Sequence, residues 1–291
     1  MFLPRKIIER KLHEFLKEDL GQGDITTSIL IPENIKVKAE IIAKENGVVA
    51  GIEEAKILLE SLGVKAKELV KDGQKVSRGK TIMKIEGDAR TILTAERTLL
   101  NLLSRMSGIA TATNKIIEKV KSTGYKVRIA CTRKTAPGLE YFDKKAVLLG
   151  GGDTHRLHLD DMILIKDNHI AIIGDVKRAV KIAREKASFS KKIEVEASSV
   201  DDAVEAAKAG ADIIMLDNFA PKDIKRTVQR LEKEKLRKRV LIEASGRINE
   251  RNILEFADSG VDIISLGSLT HSVKALDISL EITKLTTDSK M

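Results

Sequence analysis

Ala209-Gly210-Ala211-Asp212-Ile213-Ile214-Met215-Leu216 recurs fifty positions later as Ser259-Gly260-Val261-Asp262-Ile263-Ile264-Ser265-Leu266. Each copy sets a glycine and an aspartate before a short apolar run, the pattern of a turn feeding a strand buried on both faces. The preceding strands correspond as well, Glu196-Ala197-Ser198 to Glu243-Ala244-Ser245. Strand, helix, glycine turn, strand, repeated, is the unit of β/α barrels, and two unrelated βαβ units would predict the same parallel architecture.

Outward from the repeat, other short apolar runs also end in polar clusters. Val127 to Ala130 leads into Thr132-Arg133-Lys134-Thr135, and Met162 to Ile165 leads into Lys166-Asp167-Asn168-His169. Ile193 to Val195 leads into Glu196, Ile213 to Leu216 into Asp217-Asn218, Leu241-Ile242 into Glu243-Ala244-Ser245-Gly246, and Ile263 to Leu266 into Gly267-Ser268. Helical patterns separate these runs. Six such strands predict a barrel, complete or open on one side, from about 110 to 270.

Before residue 110 the patterns are mixed. Lys6 to Asp19 predicts an amphipathic helix with Ile7, Ile8, Leu12, Phe15 and Leu16 on one face, and the segment Met1 to Lys17, with no apolar core or small-residue cleavage site, is expected to be a helix and not a signal peptide. Asp24-Ile25-Thr26-Thr27 predicts a turn or cap, Lys36 to Ala43 a half-buried strand and Glu53 to Ser61 a short helix. Val70 to Glu86 carries strands parted by Asp72-Gly73 and Arg78-Gly79. Thr94 to Val120 predicts a long helix interrupted near Ser107-Gly108. Met83-Lys84 has a biotinyl- or lipoyl-carrier flavour, but such a lysine must occupy a hairpin tip, and Lys84 lies inside an alternating strand. A solvated strand lysine is the better reading.

Composition narrows the function classes. Of 291 residues, 42% are hydrophobic, which excludes global disorder. No apolar run is long enough for a membrane span. Cys131 is the single cysteine, so no intrachain disulfide can form, and a reducing, cytoplasmic setting is expected. The net charge of +9 raises nucleic acid as a partner, but aromatics are 3% with no Trp and lysines are scattered on helix faces such as 222–239. Neither a nucleic-acid nor a membrane partner is expected.

In β/α barrels the active site lies at the C-terminal strand ends. Those ends carry Arg133, Lys134, Lys166, Glu196 and Asp217, with glycine-containing loops at 245–247 and 267–268. Three cations beside two carboxylates fit an anionic, phosphorylated substrate, and the carboxylates suit Mg²⁺ or ribose hydroxyls. The last two loops suit phosphate. Gly150-Gly151-Gly152 permits close backbone approach but is a weak signal. His155 and His158 have metal-pair spacing, yet no third soft ligand is near. Cys131 reads as a small buried hydrophobe.

Several motifs then converge. Glu18-Asp19-Leu20-Gly21-Gln22-Gly23-Asp24-Ile25-Thr26-Thr27 resembles the N-terminal signature of quinolinate phosphoribosyltransferases, the nicotinate-nucleotide pyrophosphorylases. The resemblance continues through Ala95-Glu96-Arg97-Thr98-Leu99-Leu100-Asn101, Thr132-Arg133-Lys134-Thr135-Ala136-Pro137-Gly138 and His155-Arg156. Ile165-Lys166-Asp167-Asn168-His169, Met215-Leu216-Asp217-Asn218 and Gly267-Ser268-Leu269-Thr270-His271 complete it, over about 18 to 280.

The resemblance implies an α/β fold. An N-terminal α/β sandwich domain over 1–110 would join an open, TIM-like α/β barrel of about six parallel strands over 111–274, with 275–291 packing back on the first domain. It implies that quinolinate and phosphoribosyl pyrophosphate become nicotinate mononucleotide, pyrophosphate and CO₂ in de novo NAD biosynthesis, with Mg²⁺. Arg133, His155, Arg156 and Lys166 would surround quinolinate, and Arg97 would arrive from a partner subunit in a homodimer or higher homo-oligomer. Lys134, Lys166, Glu196 and Asp217 would be catalytic, with Glu196 and Asp217 toward the metal. Ser245-Gly246-Arg247 and Leu266-Gly267-Ser268, with His271 close by, would hold the 5′-phosphate.

The chain departs from the family pattern at Thr154, where Asn is usual, at Arg247, where Gly is usual, and at Ala197-Ser198-Ser199. A molybdenum-transport-associated homologue and a nicotinate-specific transferase share the scaffold, but the set Arg97, Arg133, His155 and Arg156 fits a dicarboxylate. A nucleic-acid-binding protein and a carrier domain around Lys84 are the readings from other classes.

Overall fold

In the computed structural model, which describes residues 3–286, the N-terminal apolar spacing produces α1 (Arg5–Leu20) with Ile8, Leu12 and Leu16 buried. Ile7, expected on the same face, is 40% exposed. Of the expected helical segment, Met1 and Phe2 lie outside the described residues. Asp24 caps α2 (Ile25–Leu30), its Oδ1 accepting the Thr27 N–H at 2.9 Å.

β1 (Lys36–Ala43) alternates as expected, with Val37, Ala39, Ile41 and Ala43 buried. β2 (Gly47–Val48), α3 (Ile52–Ser61), β3 (Lys65–Glu68), β4 (Lys75–Val76) and β5 (Thr81–Asp88) follow. β3 was not expected: Lys65-Ala66-Lys67-Glu68 has no apolar alternation, and backbone pairing to β5 makes it a strand. Lys84 sits within β5 with Nζ 3.0 Å from Glu40, a solvated strand lysine.

α4 (Ala89–Lys121) is one unbroken helix of 33 residues, so the interruption expected near Ser107-Gly108 does not occur. Both residues serve packing instead. Ser107 Oγ accepts the Ala50 N–H at 3.0 Å, and a Cβ at Gly108 would collide with the Lys274 carbonyl oxygen. The ~1 kcal/mol cost of a mid-helix glycine is offset by that close approach.

The chain continues through β6 (Arg128–Ala130), α5 (Glu140–Leu149), β7 (Ile163–Ile165), α6 (Asp167–Ile173), α7 (Val176–Lys186) and β8 (Ile193–Ala197). Next come α8 (Val200–Ala209), β9 (Ile213–Asp217), α9 (Pro221–Lys233), β10 (Leu241–Ser245), α10 (Ile253–Ala257), β11 (Ile263–Ser265), α11 (Ser268–His271) and β12 (Ile278–Thr286). The parallel sheet has the order β6-β11-β10-β9-β8-β7. Among the described residues β6 and β7 do not pair, so the barrel is open between them. The sequence repeat corresponds to β9 and β11, each preceded by its helix.

Two compact units result. One takes the chain through Ala112, Tyr141–Gly151 and everything from Val273 onward; the other takes Thr113–Glu140 and Gly152–Ser272. The first unit holds the sheet β12-β1-β5-β3, antiparallel throughout. Of the segment 275–291, residues 287–291 lie outside the described residues. Within this unit α5 buries charge: Arg105 forks onto Asp143 at 2.7 and 2.8 Å, and Lys145 Nζ lies 2.7 Å from Glu54. No helix of the described residues is long and apolar enough to cross a membrane.

Candidate active site

Strand alternation decides which side chains face the barrel interior. Glu196 and Glu243 are not beyond their strands, as the apolar runs had implied, but inside β8 and β10, because period-two alternation lets an acid occupy an inward position between outward apolar residues. In register, Glu196 lies opposite Met215 and Asp217 opposite Ser245.

A cavity of about 400 Å³ opens at the C-terminal strand ends. Arg133 and Lys134 reach it from the loop after β6, His155 and Arg156 from the segment before β7, and Lys166 from the end of β7. Glu196, Asp217 and Ser245 complete the expected set. Lys166 Nζ donates to Glu196 Oε1 at 2.9 Å, and Asn218 Nδ2 donates to Asp217 Oδ2 at 2.7 Å.

The field in this cavity is bipolar. Arg156 is buried, and that burial together with the Arg133 charge pushes it below its ordinary value. Desolvation and the Glu196 charge push Asp217 up, against the pull of Lys134 and Lys166. Two neighbouring hard-oxygen donors that repel one another match Mg²⁺, which keeps waters and takes one or two carboxylates beside substrate phosphates.

Other expected residues do not line the cavity. Gly246 (φ +88°) and Arg247 (φ +53°) are both left-handed, and a Cβ at Gly246 would strike Asn218, itself at φ +58°. Leu266 is buried and donates to the Ala130 carbonyl at 2.9 Å. A Cβ on Gly267 would lie 3.0 Å from Lys134 Cδ and from His271 Cδ2, so Gly267 adjoins both the Lys134 stem and the His271 ring. Arg97 is exposed on α4 and belongs to the first unit.

His155 and His158 do not form a pair. His158 Nδ1 is 3.3 Å from Glu140, while His155 Nε2 faces Glu243 at 3.0 Å and Glu194 at 3.4 Å. Neither glutamate was singled out in the sequence; the signal available was an acid at an inward position of an otherwise apolar strand. Cys131 is buried, its Sγ 3.3 Å from the Thr154 carbonyl oxygen, as a small core residue would be.

Comparison with known proteins agrees with this geometry. Residues 24–107 match the family described as quinolinate phosphoribosyl transferase, N-terminal domain, and residues 109–281 match its C-terminal domain. A relative from Methanocaldococcus jannaschii, named probable nicotinate-nucleotide pyrophosphorylase (carboxylating), is 52% identical over 94% of this chain and 96% of its own. One of the same name from Methanothermobacter thermautotrophicus is 48% identical over 93% and 97%. The solved structure of the nicotinate-nucleotide pyrophosphorylase from Francisella tularensis superposes with a TM-score of 0.89 at 39% identity, over 97% of this chain and 98% of that one. The chain therefore belongs to the quinolinate phosphoribosyl transferase family.

Proposed function

We propose that this cavity is where the enzyme joins quinolinate to phosphoribosyl pyrophosphate. Arg133, Arg156 and Lys166 take the two quinolinate carboxylates beside His155, and Lys134, Glu196 and Asp217 serve the phosphoribosyl end. The reaction yields nicotinate mononucleotide, pyrophosphate and CO₂ for NAD biosynthesis; the relatives' names describe it in the reverse, carboxylating direction. The observation that carries the assignment of the site is the meeting of Arg133 and Arg156 with Glu196 and Asp217 around one cavity.

Planar guanidiniums bind adjacent carboxylates bidentately and fix the ring. The pyridine nitrogen then forms a bond to ribose C1 as the C1–O bond to pyrophosphate breaks, and its electron pair leaves with pyrophosphate. Glu196 and Asp217 face the positive charge that develops on the sugar, while Lys134 and Lys166 face the departing negative charge. Magnesium, when bound, supplies further neutralisation of the pyrophosphate, and Glu196 and Asp217 are the residues that would hold it. Cleavage of the bond to the 2-carboxylate releases CO₂ and leaves its electron pair on C2, next to the quaternised nitrogen, where a proton is taken up.

The Ser245-Gly246-Arg247 and Leu266-Gly267-Ser268 loops, with His271, receive the 5′-phosphate, because glycine backbone permits close approach. Arg97, exposed on α4, completes the site of a partner subunit in a homodimer. The single, buried Cys131 supports a reducing, cytoplasmic setting.

The test is direct. Purified protein with quinolinate, phosphoribosyl pyrophosphate and Mg²⁺ is expected to release CO₂ and form nicotinate mononucleotide. Turnover of nicotinate with none of quinolinate would refute the reading. Mixing Arg97→Ala with Lys166→Ala chains is expected to restore part of the activity, and no restoration would refute the shared site.

A further inference from the structure

Two carboxylates that the proposed chemistry does not use lie inside the barrel. Glu194 on β8 and Glu243 on β10 are each 0% exposed. Their register neighbours are apolar: Leu164 and Ile213 flank Glu194, and Met215 and Ile263 flank Glu243. A buried carboxylate in such a layer costs several kcal/mol unless something compensates. Glu243 Oε1 accepts from Ser265 Oγ at 2.5 Å, and its Oε2 faces His155 Nε2 at 3.0 Å. The Glu194 side-chain oxygens have no hydrogen-bond partner among the described residues, and Oε2 lies 3.4 Å from the same Nε2.

His155 is itself under constraint. Its backbone is left-handed (φ +53°), a conformation that persists in a non-glycine residue only when its surroundings hold it. Its N–H donates to Asp153 Oδ1 at 2.8 Å. The Arg156 backbone nitrogen lies 2.8 Å from Nδ1, and Nε2 is the nitrogen presented to the two carboxylates.

His155 also adjoins two cavities. His155 and Arg156 line the catalytic cavity, and they also line a second cavity of about 310 Å³ at the N-terminal strand ends, bounded by Arg128, Ile213, Leu241 and Ile263.

Resting on the reading of the cavity as the quinolinate site, we propose that Glu194 and Glu243 are positioning residues. By gripping Nε2 from two strands they hold His155 in its left-handed conformation and aim Arg156 at the quinolinate carboxylates.

The electrostatics agree. Burial alone would push the imidazole down, but Glu194 and Glu243 outweigh it and carry His155 up to about 10. Burial pushes the Glu194 carboxyl up in turn, with the Glu243 charge adding to it against the pull of His155. The imidazole therefore stays protonated throughout the neutral range. The charged groups around it are Glu194 from β8, Glu243 from β10, and Asp153 and Arg156 from its own segment, with Arg133 beyond Arg156.

The experiment compares Glu243→Leu, Glu194→Gln and Glu243→Gln with the wild-type enzyme. Glu243→Leu is expected to raise the KM for quinolinate about tenfold or more while leaving that for phosphoribosyl pyrophosphate within about twofold. Glu243→Gln, which keeps an acceptor for Nε2, is expected to recover part of the loss, and Glu194→Gln to fall between them. A second readout needs no substrate: in ¹⁵N NMR of the wild-type enzyme the His155 Nε2 is expected to stay protonated, without the ring titrating from about pH 6 to about pH 9. It decides the matter even if a variant fails to fold, and it separates failure of this proposal from failure of the quinolinate reading. A wild-type ring that titrates near its ordinary value, both KM values rising together, or a metal ion retained stoichiometrically by the cluster after chelation would overturn the proposal.

Discussion

Lys166 Nζ donates to Glu196 Oε1 at 2.9 Å, tying the end of β7 to the neighbouring end of β8. The lysine side chain is 47% exposed and the glutamate's 15%, so the pair sits at the mouth of the cavity and not in its core. Exposed pairs contribute only ~0–1 kcal/mol to stability. Lys166→Met is therefore expected to leave the melting temperature almost unchanged while lowering kcat/KM by about a hundredfold or more, the usual loss for removing one group that stabilises transition-state charge. Steady-state kinetics beside thermal melts check this; a large fall in Tm would mark the pair as structural.

Arg133 is exposed in a loop after β6, so its removal disturbs little packing. Arg133→Ala is expected to cost about 2–4 kcal/mol of binding to quinolinate, read as a KM rise of roughly thirty- to a thousandfold. Arg133→Lys is expected to recover only part of this, because an ammonium cannot fork onto a carboxylate. The far-ultraviolet spectrum of both variants should match the wild type.

Stability should depend on pH in a definite direction. His155 is carried up to about 10 in the folded chain, above its ordinary value near 6.5. A raised value means that the folded state binds the proton more tightly, so this contribution is complete below about pH 6.5 and is lost as pH rises toward about 10. The melting temperature is expected to fall across that window. In Glu243→Leu the fall should be shallower, which differential scanning calorimetry measures.

Gly108→Ala tests the role of the glycine in α4. Propensity alone would make alanine stabilising by ~1 kcal/mol. The new Cβ would meet the Lys274 carbonyl oxygen and the Ala275 backbone, which cannot swing aside as a side-chain tip can. A net loss of about 1–3 kcal/mol is expected from denaturant titration.

Lys145 and Glu54 form an ion pair buried in the first unit, with Glu53 also bound to the lysine. Burial raises the Glu54 carboxyl although Lys145 opposes it. Lys145→Met leaves Glu54 without its counterion and is expected to cost about 3–5 kcal/mol; adding Glu54→Leu should recover most of this. A double-mutant cycle in urea gives the coupling.

The barrel was legible because its strands are short, apolar and repeated, and because the repeat carries its own turn glycines. Strand-end cations at 133, 134 and 166 could be read from chain order alone. The interruption of α4 was misread since a glycine within a helical pattern looks the same whether it breaks the helix or admits a neighbouring backbone; only Lys274, far along the chain, decides which. β3 was invisible because its strandedness comes from β5 and not from its own residues. Glu194 and Glu243 were passed over for a related reason. An acid in an apolar strand shows its burial only once the strand's inward face and the distant His155 are known.

The path of the chain through its two units bears on how it is made. The first unit needs α5, which follows β6, and β12, which follows everything in the barrel. A ribosome delivers the barrel's last residue, Ser272, before it delivers β12, so β1 emerges early and waits most of the synthesis for its outer neighbour. Vectorial synthesis therefore completes the second unit first, although the first unit leads the sequence. Cutting the gene after Ala112 would not give two autonomous halves: it would strand α5 and β12 on the wrong fragment. Interleaved in this way, the halves are inherited, expressed and folded as one object.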